Sequence, residues 1–148
     1  MLFNMKRKHA KQKGFSLLEL LVVISIIGIL IALGAVAYST AQRKGRDAKR
    51  RADIKAFQDG FEQYYADYGN YGATCNTMTG NPTYFPGGAP QESKPLPYPA
   101  YACAPQGSYA YCFCAQLESG GGNATSFTCT NYGAPSSSKT HYCLTNLQ

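Results

Sequence analysis

Lys13-Gly14-Phe15-Ser16-Leu17-Leu18-Glu19-Leu20-Leu21-Val22-Val23-Ile24 joins a basic leader to a long apolar run. The run continues to Tyr38, and before that tyrosine its only ionisable side chain is Glu19. An ionised group at membrane depth is costly and marks a functional position by default. Residues 17–37 are long enough to cross a bilayer, which needs roughly 20 apolar residues. Lys6, Arg7, Lys8, Lys11 and Lys13 precede Gly14. By the positive-inside rule this flank places residues 1–13 in the cytoplasm and the remainder outside.

The chain has 148 residues, enough for one modest domain, and a formal net charge of +6. That charge is unevenly spread. Seven further Lys/Arg lie between Arg43 and Lys55. Beyond Lys55 only Lys94 and Lys139 remain, against Asp59, Glu62, Asp67, Glu92 and Glu118. The C-terminal part is therefore mildly acidic, which argues against nucleic acid as a direct ligand. All six cysteines (Cys75, Cys103, Cys112, Cys114, Cys129 and Cys143) follow the apolar segment. They sit in the half expected to reach an oxidising space.

Four segments follow. Residues 1–14 read as a cleavable leader. Residues 15–38 read as a transmembrane and assembly helix, and 39–70 as its amphipathic continuation. Residues 71–148 form a Cys-rich head. No proline occurs before Pro82, so one helix is expected over residues 15–68, about 80 Å long at 1.5 Å per residue. A domain this small cannot bury such a helix. Its first half must be covered by lipid or by other copies of the chain.

In the second half Ile54, Phe57, Phe61, Tyr64 and Tyr68 recur at spacings of three and four, the stripe that should pack on the head. The basic run Arg43–Lys55 reads as a solvated face, with Asp47–Arg51 and Asp59–Gln63 as surface pairs one turn apart. Tyr68-Gly69-Asn70 should end the helix in a left-handed cap. Residues 71–100 read as loop. Ser108–Ala115 is the best strand, pairing with Ala100–Ala104 across Pro105-Gln106-Gly107. Ser126–Thr130 and His141–Leu144 are two shorter strands, with turns at Gly120-Gly121-Gly122 and Pro135–Ser138. The fold class is α+β: a long N-terminal helix packed on a small, disulfide-bearing antiparallel sheet.

Enzymatic chemistry finds little support. His141 is the only histidine outside the leader, and no nucleophile elbow, zinc-protease helix or phosphate loop is present. Neither a cofactor nor a resident metal is expected. Zinc at Cys112, Cys114, His141 and Cys143 would need an unusual ligand spacing. Disulfides fit the compartment better. Six cysteines allow 15 pairings. Cys112 and Cys114 share a strand face and should bond different partners, and Cys129–Cys143 is the first pair expected. Asn123-Ala124-Thr125 matches a glycosylation sequon, and Asp59, Glu62, Asp67 and Asn70 are generic oxygen donors for calcium.

Residues 13–38, with Gly14-Phe15-Ser16-Leu17-Leu18-Glu19 at their head, resemble the class III signal of type IV pilins and the related pseudopilins. That resemblance implies cleavage between Gly14 and Phe15 and N-methylation of Phe15, both by a membrane-bound prepilin peptidase. It makes Glu19 the fifth residue of the mature chain, the acid that assembles subunits. A carboxylate from one subunit neutralises the terminal ammonium of another where an unpaired charge would be costly. Arg51–Phe57 and Tyr64–Tyr71 also look like the helix end of such proteins. Gly28 matches a common glycine, whereas the helix-distorting proline of many pilins is replaced by Val36.

The resemblance implies a structural subunit of a type IV pilus-like filament, a helical homopolymer driven by a cytoplasmic ATPase and an inner-membrane platform protein. The precursor would sit in the inner membrane and the mature chain in an extracellular or envelope filament. A pseudopilin of a type II secretion or DNA-uptake system is the nearest alternative. From another class comes a secreted disulfide-rich binding domain, cut after Ala37 in Ala35-Val36-Ala37. A single-pass anchor that never polymerises is a third.

Overall fold

The computed structural model describes residues 14–94, 97–127 and 135–148. Its first helix, α1, spans Leu17–Tyr68, and the chain divides into two units at Ser39/Thr40. In the first unit every described side chain is exposed. Leu, Ile and Val crowd all sides of the helix there, so no face is reserved for a core of its own. Two serines inside this apolar stretch return their hydroxyls to the backbone: Ser25 Oγ to the Leu21 carbonyl at 2.8 Å and Ser39 Oγ to that of Val36 at 3.0 Å.

The second unit holds the rest of α1, a short helix α2 (Cys75–Thr79) and strands β1 (Ala102–Pro105), β2 (Tyr111–Gln116) and β3 (His141–Thr145). The strands form one antiparallel sheet in the order β1-β2-β3. Cys103 lies opposite Phe113, and Cys114 opposite Cys143. Strand alternation divides the sheet side chains. Tyr111 and Phe113 meet α1, where Phe57 stacks on Phe113 with ring centroids 3.9 Å apart and Phe61 meets Tyr111 edge-on at 4.9 Å. Ile54, Tyr64, Tyr71, Met78 and Phe85 complete this core. Cys112, Cys114 and Cys143 share the second cluster with Ala124.

Gly60 explains a close crossing in the aromatic core. A Cβ there would come within 2.5 Å of the Phe85 ring tip. At the far end Gly69 takes a φ of 69°, and its N–H bonds the Tyr65 carbonyl at 2.7 Å, closing the helix as expected.

Several expectations change. Tyr68 leaves the stripe and is exposed. The basic run is not a uniformly solvated face: Asp47 and Arg50 are wholly buried, extending the core stripe as 47, 50, 54, 57, 61 and 64. Asp47 therefore pairs with Arg50 rather than Arg51, and Asp59 with Lys55 rather than Gln63. Residues 71–100 are not all loop. Thr74 caps α2 by accepting the Thr77 N–H. Ser108 and Tyr109 belong to the β1–β2 turn, not to the strand, because Gln106 N–H already bonds the Ala110 carbonyl at 2.8 Å. Ser126 and Phe127 are not in a strand, and residues 128–130 of that expected element lie outside the described residues.

Candidate functional site

Ser16 sets the start of α1. Its Oγ accepts the Leu18 N–H at 3.3 Å, and Glu19 reaches back so that its Oε2 accepts the Ser16 N–H at 2.8 Å. This reciprocal arrangement is a capping box, which satisfies amides that the first helical turn leaves without partners. The signal was present in the sequence as Ser16-Leu17-Leu18-Glu19, S-x-x-E before an apolar run. Glu19 therefore faces the first turn, and Gly14 and Phe15 precede the helix outside any regular element. Phe15 is 85% exposed. Among the described residues of this unit, Glu19 supplies the only charge beside an unbroken apolar surface.

The head is tied together by a buried ion cluster. Arg50 donates to both oxygens of Glu92, at 2.8 and 3.1 Å, and to Asp47 at 2.9 Å, with Glu118 3.0 Å away. Arg46 grips Glu118 in a bidentate pair at 2.6 and 2.7 Å. Asp47 also accepts the backbone N–H groups of Glu118 and Ser119, each at 2.8 Å, and the Ser119 hydroxyl. The Tyr98 ring lies 4.4 Å from the Arg50 guanidinium. Helix α1 is thus pinned to two loops far away in sequence.

Protonation follows from this wiring. Arg46, opposed by some desolvation and aided by Arg50, pulls the Glu118 carboxyl down to about 2. Burial works against ionised Asp47, but bonds from Ser119, the Glu118 and Ser119 amides and Arg50 outweigh it and hold its carboxyl below the usual range. Glu92 is likewise desolvated yet held low, chiefly by Arg50.

The cysteines resolve into disulfides Cys75–Cys103 and Cys114–Cys143, and Cys112 is also disulfide-bonded. Cys143 therefore pairs with Cys114, not with Cys129. Cys129 itself lies outside the described residues. The register explains the choice, since Cys114 and Cys143 sit directly opposite on neighbouring strands. Cys112 Sγ and Cys114 Sγ are 3.4 Å apart on one buried face, as the strand spacing implied. Three sulfurs lie within 4.8 Å of one another, but their disulfides remove the thiolates that zinc requires. His141 takes no part in that cluster; it packs edge-on against Phe127.

Two other candidates dissolve into structure. Asn123 is buried, and its amide pairs with the Cys143 N–H and carbonyl, both at 2.7 Å, which caps the edge of β3 and turns the amide away from the solvent a glycan would occupy. The four oxygen donors do not converge. Asp59 faces Lys55, Glu62 accepts Tyr71 and Tyr111 hydroxyls, Asp67 accepts that of Tyr84, and the Asn70 amide donates to the Tyr68 carbonyl.

A capped, uncovered apolar helix continuing into a disulfide-bearing head is the architecture of a membrane-inserted or self-associating chain. The comparisons with known proteins agree. The prokaryotic N-terminal methylation motif matches residues 9–35. The chain is similar to the type II secretion system core protein G of Escherichia coli, 38% identical over 68 residues, which cover 46% of this chain and 47% of that protein. It is similar to core protein G of Aeromonas hydrophila, 33% identical over 79 residues, covering 51% and 55%. It is also similar to the type IV major pilin protein PilA of Myxococcus xanthus, 24% identical over 75 residues, covering 51% and 34%. The matches thus span about half or less of these relatives' own lengths. No solved structure matches the chain.

Proposed function

We propose that this chain is a structural subunit of a type IV pilus-like filament. The observation that carries the reading is the apolar helix of residues 17–38, which the chain itself leaves uncovered and most of which lies within the methylation motif matched at residues 9–35. Prepilin peptidase cuts between Gly14 and Phe15 and methylates the new amine. The five leader cations keep the N-terminus cytoplasmic until then. Loss of the leader lets the subunit leave the bilayer, driven by an assembly ATPase and a platform protein.

In the filament the apolar helices cover one another. The contact is heterologous and non-closing, so it propagates as a fibre. Glu19 is already turned toward the first helical turn, where the Ser16 amide holds it at 2.8 Å. Once Phe15 carries an ammonium, the carboxylate of a neighbour neutralises it in low dielectric. Nothing in this reading asks the head to perform catalysis.

A second reading is favoured by the two core protein G relatives: a secretion pseudopilin, using the same shaft with different partners. Deleting the chain from its native host separates the two. Loss of surface fibres seen by electron microscopy supports the pilus. Loss of protein export with fibres retained supports the pseudopilus. If the processed chain is recovered only as monomer from the undeleted host, both readings fail.

A further inference from the structure

We propose that the cavity between α2, β1 and residues 89–92 binds an uncharged carbohydrate. Its volume is about 640 Å³, inside the range of about 300–1,000 Å³ usual for small-molecule sites. One side is aromatic, formed by Phe57, Phe113 and Tyr101. The Tyr101 ring is fixed at both ends. It meets Phe57 edge-on at 6.0 Å, and its hydroxyl donates to Asp53 at 2.5 Å. The Cys75–Cys103 disulfide stiffens the adjoining wall.

The remaining rim is polar: Asn76, Thr79 and Gln91. Their side chains make no hydrogen bond among the described residues, so two amides and a hydroxyl are uncommitted. Among the described residues that line the cavity, Glu92 is the only charged one. Both oxygens of Glu92 are held by Arg50, and Lys49 is paired with Asp53 at 3.3 Å. An anion would face the Glu92 carboxylate at the wall, and a cation would find that carboxylate already held by Arg50. A wholly apolar ligand would leave the Asn76, Thr79 and Gln91 side chains at the rim without use. A sugar ring carries what remains: an apolar C–H face for Tyr101 and hydroxyls for the amides. The cavity lies within residues 57–113 and needs no assembly, so its test is separate from that of the filament.

The test uses the full chain, disulfides intact, in a polyoxyethylene detergent free of sugar headgroups. Saturation-transfer NMR is run with lactose, cellobiose and N,N′-diacetylchitobiose, and in parallel with sialyllactose and an uncharged Ala-Phe dipeptide amide. A neutral disaccharide is expected to bind in the millimolar range. Tyr101→Ala should weaken it about tenfold by removing the ring. Tyr101→Phe should retain it, since the stacking face survives. The exposed-rim variants Asn76→Ala and Gln91→Ala should each weaken it about threefold to tenfold at unchanged melting temperature. These two keep the test sharp if Tyr101→Ala does not fold. Binding of the dipeptide or the acidic sugar in preference to all neutral sugars overturns the proposal. So does failure of every neutral sugar to bind, or sugar binding indifferent to both rim variants.

Discussion

Arg50→Met offers a direct probe of the buried ion cluster. The change keeps an unbranched chain but removes four charge-assisted contacts: two to Glu92 at 2.8 and 3.1 Å, one to Asp47 at 2.9 Å and one to Glu118 at 3.0 Å. The three acids do not suffer equally. Asp47 keeps two backbone N–H donors and the Ser119 hydroxyl, and Glu118 keeps the Arg46 fork. Glu92 keeps only the Lys94 N–H at 2.9 Å, while its side chain is 4% exposed. Leaving one buried ion without its partner costs about 3–5 kcal/mol. In a unit of about 100 residues that corresponds to a melting point lower by at least about 12 °C. The double variant Arg50→Met/Glu92→Leu removes the orphaned charge and should return to within about 1–2 kcal/mol of the parent. The assay is urea unfolding of the disulfide-intact chain in micelles, read by near-ultraviolet dichroism of its tyrosines. A single variant costing under about 1 kcal/mol, or a double variant no better than the single, refutes the reasoning about uncompensated charge.

Stability should be flat between about pH 7 and 9, lose a little below about pH 6.5, where burial holds His141 below its ordinary value, and fall more steeply as pH drops from about 4 toward 2. The cluster carboxyls have folded values below their unfolded ones, Glu118 at about 2, so their contribution is present above the unfolded value and vanishes as they protonate. Acid titration of the unfolding midpoint checks this, and a midpoint that rises on acidification contradicts it. Gly60→Ala gains about 1 kcal/mol of helix propensity but drives a methyl into Phe85, which is hemmed by Phe57 at 5.6 Å and Phe61 at 6.2 Å. The expected net loss is about 1–2 kcal/mol, and a stabilised variant would show that the ring yields freely. Glu19→Ala should insert into the membrane normally yet stop or slow filament growth; fibres at the parent's yield would remove the charge-neutralising role. Gly14→Leu should accumulate as uncleaved precursor on immunoblots, and a product of normal mature size would move the cleavage site.

The extent of α1 was legible because composition decides it: no proline, few glycines, and Gly69 where a left-handed cap is needed. The aromatic half of its buried face followed from spacing alone. Arg50 and Asp47 did not. Pattern reading assigns charge to solvent, and nothing near residue 50 announces that Glu92 and Glu118 wait across the fold. Had spacing been trusted over polarity, steps of three and four back from Ile54 would have pointed to both. Helix α2 was hidden because five residues carry no period and lie among glycines and prolines. The Cys114–Cys143 pairing needed the β2–β3 register, which no local signal sets. At the N-terminus the capping box is written in Ser16-Leu17-Leu18-Glu19, whereas the Phe15 ammonium that the proposal requires would exist only after cleavage.

The most direct check is the mass and terminal residue of the polypeptide purified from the envelope or from sheared fibres. The account predicts a chain that begins at Phe15, lacks residues 1–14 and, once its disulfides are reduced, is one CH2 unit heavier than residues 15–148 as encoded. A chain beginning at Tyr38 would reveal an ordinary secreted domain, and one beginning at Met1 a permanent anchor. Either result contradicts it.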